Sequence, residues 1–551
     1  VAPPIATGGM PTLTEYTKFC KNPLKERPIS DRRVNFVGST MSSIKKLAGE
    51  TIWYGASSIL AKFLNYMLTP YLTYKFKGTP EYGEMSLVYA TISFVNIGVL
   101  FGLDYAFFRY VQKKEAQNDH LYSTLLISLA GSTTLITILI LLFRVPIAAA
   151  IDIANHPSYV VLSAFLIAFD ALSALPFARL RHEGRPRKFA MIRVSGIILN
   201  IALTYFFLSV CPALLKTHPN SIIALIYQPK LGFVTYVLLA NVIQNFFQLV
   251  LLSPLLKGFQ WKFNFPLWKE IMIYALPLTV AGFGGMINET FDRIMLDQRL
   301  PHAGNYAKFQ VGIYSGCYKL SLLITLFVQA FRMGAEPFFF KQSVEDSAQR
   351  TYARVMKFFV ILISGMFLFV TLYLDVWKYF ITDHSMWVGL KVVPILLFAN
   401  IFLGIYYNLS IWYKLSTNTR AGAYITLIGA GLTLFINFVF IPRFGYMASA
   451  WATFICYGSM MVISFVWGQK VYRVPYAWKK LTAYMVIVAL IYFLHHFIVG
   501  LWPNRVFSLG LGTVFIGAYA LFVLRVERKE FQRLPYIGRF LTAHGAGARR
   551  A

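Results

Sequence analysis

The feature that most restricts this chain is a series of apolar runs, each about twenty residues long and divided from the next by a short polar cluster. A helix of that length spans the hydrocarbon layer of a bilayer, because each residue advances it by about 1.5 Å. Lipid offers no partners to backbone N–H and C=O groups, so each run must satisfy them internally. Fourteen such runs can be marked, the first near 52–73 and the last near 505–525, with others near 189–209, 270–290 and 311–332. Charged residues make up only 14% of the chain, against about 25% in ordinary soluble domains. Mean hydropathy is +0.57. The expected fold class is an all-α polytopic membrane protein.

The loops test the count. After the even-numbered runs lie Lys113 and Lys114, then Arg179 to Lys188, Lys257 and Lys262, Lys341 and Arg350, Lys414 and Arg420, and Lys470 to Lys480. The alternate loops are poorer in base and hold Asp152, Asp375, Asp383 and the mixed cluster Asp292, Arg293, Asp297 and Arg299. A missed helix would reverse this asymmetry from that point on, and it does not reverse. By the positive-inside rule both termini are cytoplasmic. The same rule accounts for the net charge of +29, which in a soluble chain would point to nucleic acid. An anionic lipid substrate would also favour such a balance.

The chain also repeats itself. Tyr54, Tyr82, Gly102, Asp104 and Phe107-Phe108-Arg109 find counterparts in Tyr274, Tyr306, Gly334, Glu336 and Phe339-Phe340-Lys341. Arg181, Arg187 and Gly196 match Lys414, Arg420 and Gly429 at nearly the same offset. Six helices per repeat leave both units in one orientation, which implies two lobes with a cavity between them. The expected organisation is an N-terminal tail over 1–49, lobes over 50–260 and 261–470, helices 13 and 14 over 471–530, and a cytoplasmic tail over 531–551. Residues 1–40 differ in composition from the chain beyond Met41 and read as a non-native extension or a disordered tail. Cys20, Cys211, Cys317 and Cys456 have neither metal-ligand nor disulfide spacing. With no nucleotide loop and no zinc helix, neither ATP hydrolysis nor any other enzymatic activity is expected.

Charges inside apolar runs mark candidate sites, because an unpaired ion there is costly. Lys62 lies midway through the first run and reads as a cavity cation or an interhelical pair. Lys319, and less clearly Arg332 and Arg193, are further candidates for meeting an anionic head group. Asp170, Glu289 and Asp292 read as coupling acids or as structural partners; Asp170 could pair with Lys62 or Arg193. Pro277, Gly282, Gly284 and Gly285 in the seventh run suit either a hinge or close helix packing. Asp104 with Arg109 and Glu336 with Lys341 recur at equivalent helix ends and could form a gate of crossed salt bridges.

Residues 47–70, with Trp53, Tyr54, Lys62, Asn65 and Pro70, resemble the first helix of bacterial polysaccharide-biosynthesis flippases. Glu81-Tyr82-Gly83-Glu84 and the stretch from Gly102 to Arg109 extend the likeness. With fourteen spans and duplicated lobes, the chain resembles Bacteroidetes-like members of the multidrug/oligosaccharidyl-lipid/polysaccharide exporter superfamily, over 41–533. The resemblance implies translocation of an undecaprenyl-diphosphate-linked oligosaccharide, such as an O-antigen, capsule or exopolysaccharide unit, across the bacterial inner membrane. It implies no cofactor, with coupling to protons, sodium or membrane potential. The implied partners are the bilayer, the anionic glycolipid, and a glycan polymerase or ligase; nucleic acid is not among them, and the oligomeric state is left open, a monomer being compatible with the reading. Related peptidoglycan-precursor flippases use basic cavity groups, for which Lys62 and Lys319 are the positional matches. Lysine in place of arginine forgoes a bidentate phosphate contact. A drug/cation antiporter, a peptidoglycan-precursor flippase and a non-transporting glycan-assembly scaffold are the alternatives.

Overall fold

Each apolar run closes its backbone hydrogen bonds within itself, and thirteen helices among the described residues of this computed structural model are long and apolar enough to cross a bilayer. The structure describes residues 59–532 apart from 77, 112–119, 220–222, 257–258, 302–304, 344–346 and 417–418. All of these fall in one unit, Thr51–Ala551. The tails at 1–49 and 533–551 lie outside the described residues, as do Lys113, Lys114, Lys257 and the side chain of Lys341.

A helix at 59–75, α1, adds to the thirteen and coincides with the first expected span. The others are α2 (Thr79–Leu100), α3 (His120–Leu142), α4 (Pro157–His182), α5 (Pro186–Thr217), α6 (Pro229–Leu256) and α7 (Phe265–Glu289). After these come α8 (Tyr306–Gln342), α9 (Ala348–Leu372), α10 (His384–Leu415), α11 (Thr419–Phe444), α12 (Tyr446–Val471), α13 (Trp478–Leu501) and α14 (Arg505–Val526). No strand occurs among the described residues.

Two helices outrun their apolar windows for physical reasons. The expectation for α8 stopped at 311 and 332, yet the helix is 37 residues long. The flanking charges do not end it because each has a carboxylate: Glu84 lies 2.9 Å from Lys308, and Glu336 lies 3.3 Å from Arg332. In α5 the chain passes Pro212, which has no N–H to donate, and the turn at Phe206–Val210 widens to a π-helix before continuing to Thr217.

The duplication is visible in packing. In the first lobe α2 and α3 pack on α4, and α4 and α5 pack on α6; in the second α8 and α9 pack on α10, and α10 and α11 pack on α12. The last two helices stand outside this pattern and pack on α9. Just beyond α14, Glu527 fixes them there by accepting hydrogen bonds from Lys357 at 2.6 Å and from Lys480 and Tyr484 at 3.0 Å each. Burial pushes this carboxyl up, but the three donors outweigh it and hold it below the usual range.

One end of the molecule carries the basic loops and is called here the basic end; the opposite, lean end carries Asp152, Asp375 and Asp383. The lobes meet differently at the two. At the lean end α2 and α8 touch through backbone: a Cβ on Gly83 would fall 2.0 Å from the Lys308 carbonyl oxygen, and one on Gly312 would fall 2.2 Å from that of Thr79. The Glu84–Lys308 pair, with side chains 17% and 11% exposed, seals the same crossing, and Asp152 lies 3.6 Å from the same ammonium. Thr79 also donates to Asp383 at 2.9 Å, and the Thr73 and Thr382 hydroxyls are 2.8 Å apart. Toward the basic end the contact is between side chains. Phe94 packs on Phe283, Tyr110 donates to the Glu270 carboxylate at 3.1 Å, and the Arg109 guanidinium lies 4.1 Å from the Tyr274 ring centre.

Candidate functional site

Between the lobes lies a cavity of about 440 Å³ walled by α1, α2, α5, α6, α8 and the end of α7. Two hollows beside α3 are as large, but no titratable side chain lines either. The cavity holds charge. Lys62 reaches it from α1 and Lys319 from α8, the two lysines that the sequence had singled out. Lys62 donates across the lobe boundary to Gln329 Oε1 at 2.5 Å. Lys319, partly buried, stands ten residues toward the lean end on the same helix as Gln329, a rise of about 15 Å.

A third cation belongs with them. Arg293, 9% exposed, follows α7 in the short helix Phe291–Arg299. Its guanidinium donates to Asp292 at 2.9 Å and to the Glu289 carbonyl at 3.0 Å, and lies 4.5 Å from the Tyr318 ring centre. The sequence placed it among loop charges, because a helix end is ordinarily wet. Asp292 is committed to Arg293 and to the Tyr314 hydroxyl, which donates to it at 2.6 Å, and it does not line the cavity. Glu289 does line it, as the one carboxylate in a wall bearing three cations.

Other sequence candidates sit elsewhere. Arg332 and Arg193 do not line the cavity. Arg332 lies over the Tyr407 ring at 4.8 Å and beside Glu336, while Arg193 lies over Phe177 at 4.6 Å. Aromatic faces hold both guanidinium groups. Asp170 accepts from the Asn96 amide at 2.7 Å, so its described partner is neither Lys62 nor Arg193.

Of the gate residues Asp104, Arg109, Glu336 and Lys341, the Lys341 side chain lies outside the described residues, and the described contacts are those of Glu336 and Arg109. Glu336 is held within its own lobe by Lys414 at 2.6 Å and Arg332 at 3.3 Å, while Arg109 crosses lobes to an aromatic ring. Asp104 lies in the first turn of the short helix Leu103–Tyr110. In α7, Pro277 is accommodated in a continuous helix. A Cβ on Gly282 would meet Ile97 of α2 at 3.2 Å, one on Gly284 would meet Leu427 of α11 at 3.2 Å, and Gly285 faces open space. Two of the three glycines therefore serve close packing.

The rest of the lining is neutral and was not legible beforehand. It includes Tyr66, Tyr82, Tyr89 and Tyr318, with Asn65, Asn200 and Asn241. Among the described residues no group of three or more His, Cys, Asp or Glu could hold a metal ion. Such a cavity can bind and screen a polyanion carrying a hydroxylated body.

Two six-helix lobes around a polar cavity define the fold. Solved structures share it: the lipid II flippase MurJ in an inward closed conformation has a TM-score of 0.61 at 13% identity, covering 86% of this chain and 99% of that one. An inward-facing multidrug resistance MATE family transporter of the MOP superfamily has 0.52 at 14% identity, covering 80% and 94%. The Vibrio cholerae MATE transporter VcmN in its bent form has 0.53 at 12% identity, covering 81% and 99%. No curated protein matches the chain by sequence. The family itself is shown by the profile described as polysaccharide biosynthesis protein, which matches residues 78–377. The chain belongs to that family.

Proposed function

We propose that this protein flips an undecaprenyl-diphosphate-linked oligosaccharide, an O-antigen, capsule or exopolysaccharide repeat unit, across the bacterial inner membrane by alternating access. The observation that carries the reading is the interlobe cavity in which Lys62, Lys319 and Arg293 face a single carboxylate, Glu289. A diphosphate brings the negative charge that this wall lacks, and the polyprenyl tail stays in lipid. Membership of a polysaccharide biosynthesis family supports the glycan. The basic end faces the cytoplasm, as the positive-inside rule requires. Arg332 and Arg193 add long-range positive potential, the Gly285 region of α7 supplies the bend, and Asp104, Glu336 and Lys341 act at the basic-end gate.

The cycle draws on membrane potential, protons or sodium, with Asp170 or Glu289 as the responding acid. A glycan polymerase or ligase receives the product. Drug/cation antiport calls for a predominantly acidic cavity; here Lys62, Lys319 and the Asp292-bound Arg293 line it with Glu289 alone, which disfavours that reading. Transport of a peptidoglycan precursor presents the same diphosphate and is the nearest competing reading, in keeping with the MurJ-like fold.

The test is leaflet-resolved lipid-linked glycan in cells depleted of the protein and re-supplied with wild type, Lys62→Ala or Lys319→Ala at equal abundance. Inner-leaflet accumulation corrected by wild type alone is the expected result. Normal distribution on depletion, in a strain without a second flippase, would end the proposal.

A further inference from the structure

We infer that the lobe 1 wall around Tyr89 and Asn241 is a glycan subsite, built for an uncharged sugar next to the diphosphate. The inference rests on the flippase reading and adds to it where the specificity lies.

The cavity is divided by lobe. Arg293 and Lys319 come from lobe 2, and lobe 1 supplies only Lys62, at the basic side. The rest of the lobe 1 polar lining, from α2, α5 and α6, is amide and hydroxyl: Ser86, Tyr89, Ser93, Asn200 and Asn241. An anionic sugar against it would lose hydration without gaining a counter-ion, whereas a neutral one exchanges hydrogen bonds one for one.

The wall is also set in advance. Asn241 Nδ2 donates to the Tyr89 hydroxyl at 2.8 Å and to the Val237 carbonyl at 2.8 Å, which uses both amide hydrogens. Among the described residues that leaves Asn241 Oδ1 as an acceptor and the Tyr89 O–H as a donor, side by side. Ser86 and Ser93 return their hydrogens to the Tyr82 and Tyr89 carbonyls at 2.8 Å each, so their oxygens face the cavity as acceptors only. Tyr66 Oη and Ser315 Oγ, both buried in the cavity lining, have no hydrogen-bond partner among the described residues. A fixed donor–acceptor pair with further acceptors around it matches the hydroxyl and acetamido groups of a sugar ring, and holding it rigid limits the entropy lost on binding.

The test measures binding of three probes to the purified full chain in nanodiscs: undecaprenyl diphosphate, the same lipid bearing one N-acetylhexosamine, and the same lipid bearing one hexuronic acid. Wild type should bind the N-acetylhexosaminyl lipid more tightly than the other two. Asn241→Ala should reduce its advantage over the bare lipid roughly tenfold, and the conservative Tyr89→Phe by a smaller factor. Lys62→Ala should weaken all three probes. The inference is overturned if wild type shows no preference for the neutral glycolipid, or if both wall variants leave the ratio intact. It is likewise overturned if they weaken bare and glycosylated lipid equally. Indifference of every probe to Lys62→Ala would instead strike the diphosphate reading, and the ratio would still report on the wall.

Discussion

The same two lobes meet twice, and the two meetings are built from different materials. At the lean end the crossing is backbone on backbone at Gly83 and Gly312, with the Glu84–Lys308 pair sealed beside it. Toward the basic end aromatic rings and polar side-chain tips do the joining, as in Arg109 on Tyr274 and Tyr110 on Glu270. Side chains can rotate away from one another singly, whereas a backbone crossing separates only when a whole helix moves. The lean end is therefore the all-or-none closure and the basic end the graded one. On the proposed alternating-access reading, that division places the stringent seal on one side.

Three substitutions would break or sharpen this contrast. The largest effect is expected from Gly312→Leu, whose side chain must occupy space filled by the Thr79 backbone. Spin labels across the lean end should report separated α2 and α8, with transport lost; an unchanged distance would show that the crossing is not tight. Next is Lys308→Ala, which removes the ammonium held by Glu84, a side chain only 17% exposed. It should weaken lean-end closure by about 3–5 kcal/mol, and Glu84→Gln added to it should recover part of the loss. Cysteine accessibility at the lean end measures both. The smallest effect belongs to Tyr110→Phe, which removes a hydroxyl shared between the Glu270 carboxylate and carbonyl, worth about 0.5–1.5 kcal/mol. It should raise basic-end accessibility slightly and leave the lean end unchanged. Equal responses at both ends would erase the distinction.

Legibility in the sequence divides in the same way between local and distant causes. A lysine inside an apolar run is visible without any partner, so Lys62 and Lys319 could be picked out. The duplication was legible because ordering and offset survive divergence. The Glu84–Lys308 closure was not, since its members lie 224 residues apart and each sits near a helix end, where solvent is the default neighbour. Arg293 was passed over for the same reason. The neutral wall was hidden more deeply: Asn200, Asn241 and Ser93 lie in apolar helices where a small polar residue serves packing, lipid or water with no difference in pattern. Only the placing of α5 and α6 beside α2 shows which of these applies. Asp170 differs: charge alone suggested Lys62 or Arg193, and its described partner is the neutral Asn96, 74 residues away.

One helix ties these places together. Over its 37 residues α8 holds Lys308 at one tip, Lys319 midway, Gln329 below it and Glu336 near the other tip. At about 1.5 Å per residue it is a rod of roughly 55 Å, far longer than the hydrocarbon layer. Moved as one body, this helix would carry Lys308, Lys319 and Gln329 together. The lean-end seal and the Lys62–Gln329 contact are thus built on one continuous element, and on the proposed reading coordination between the ends needs no messenger beyond it.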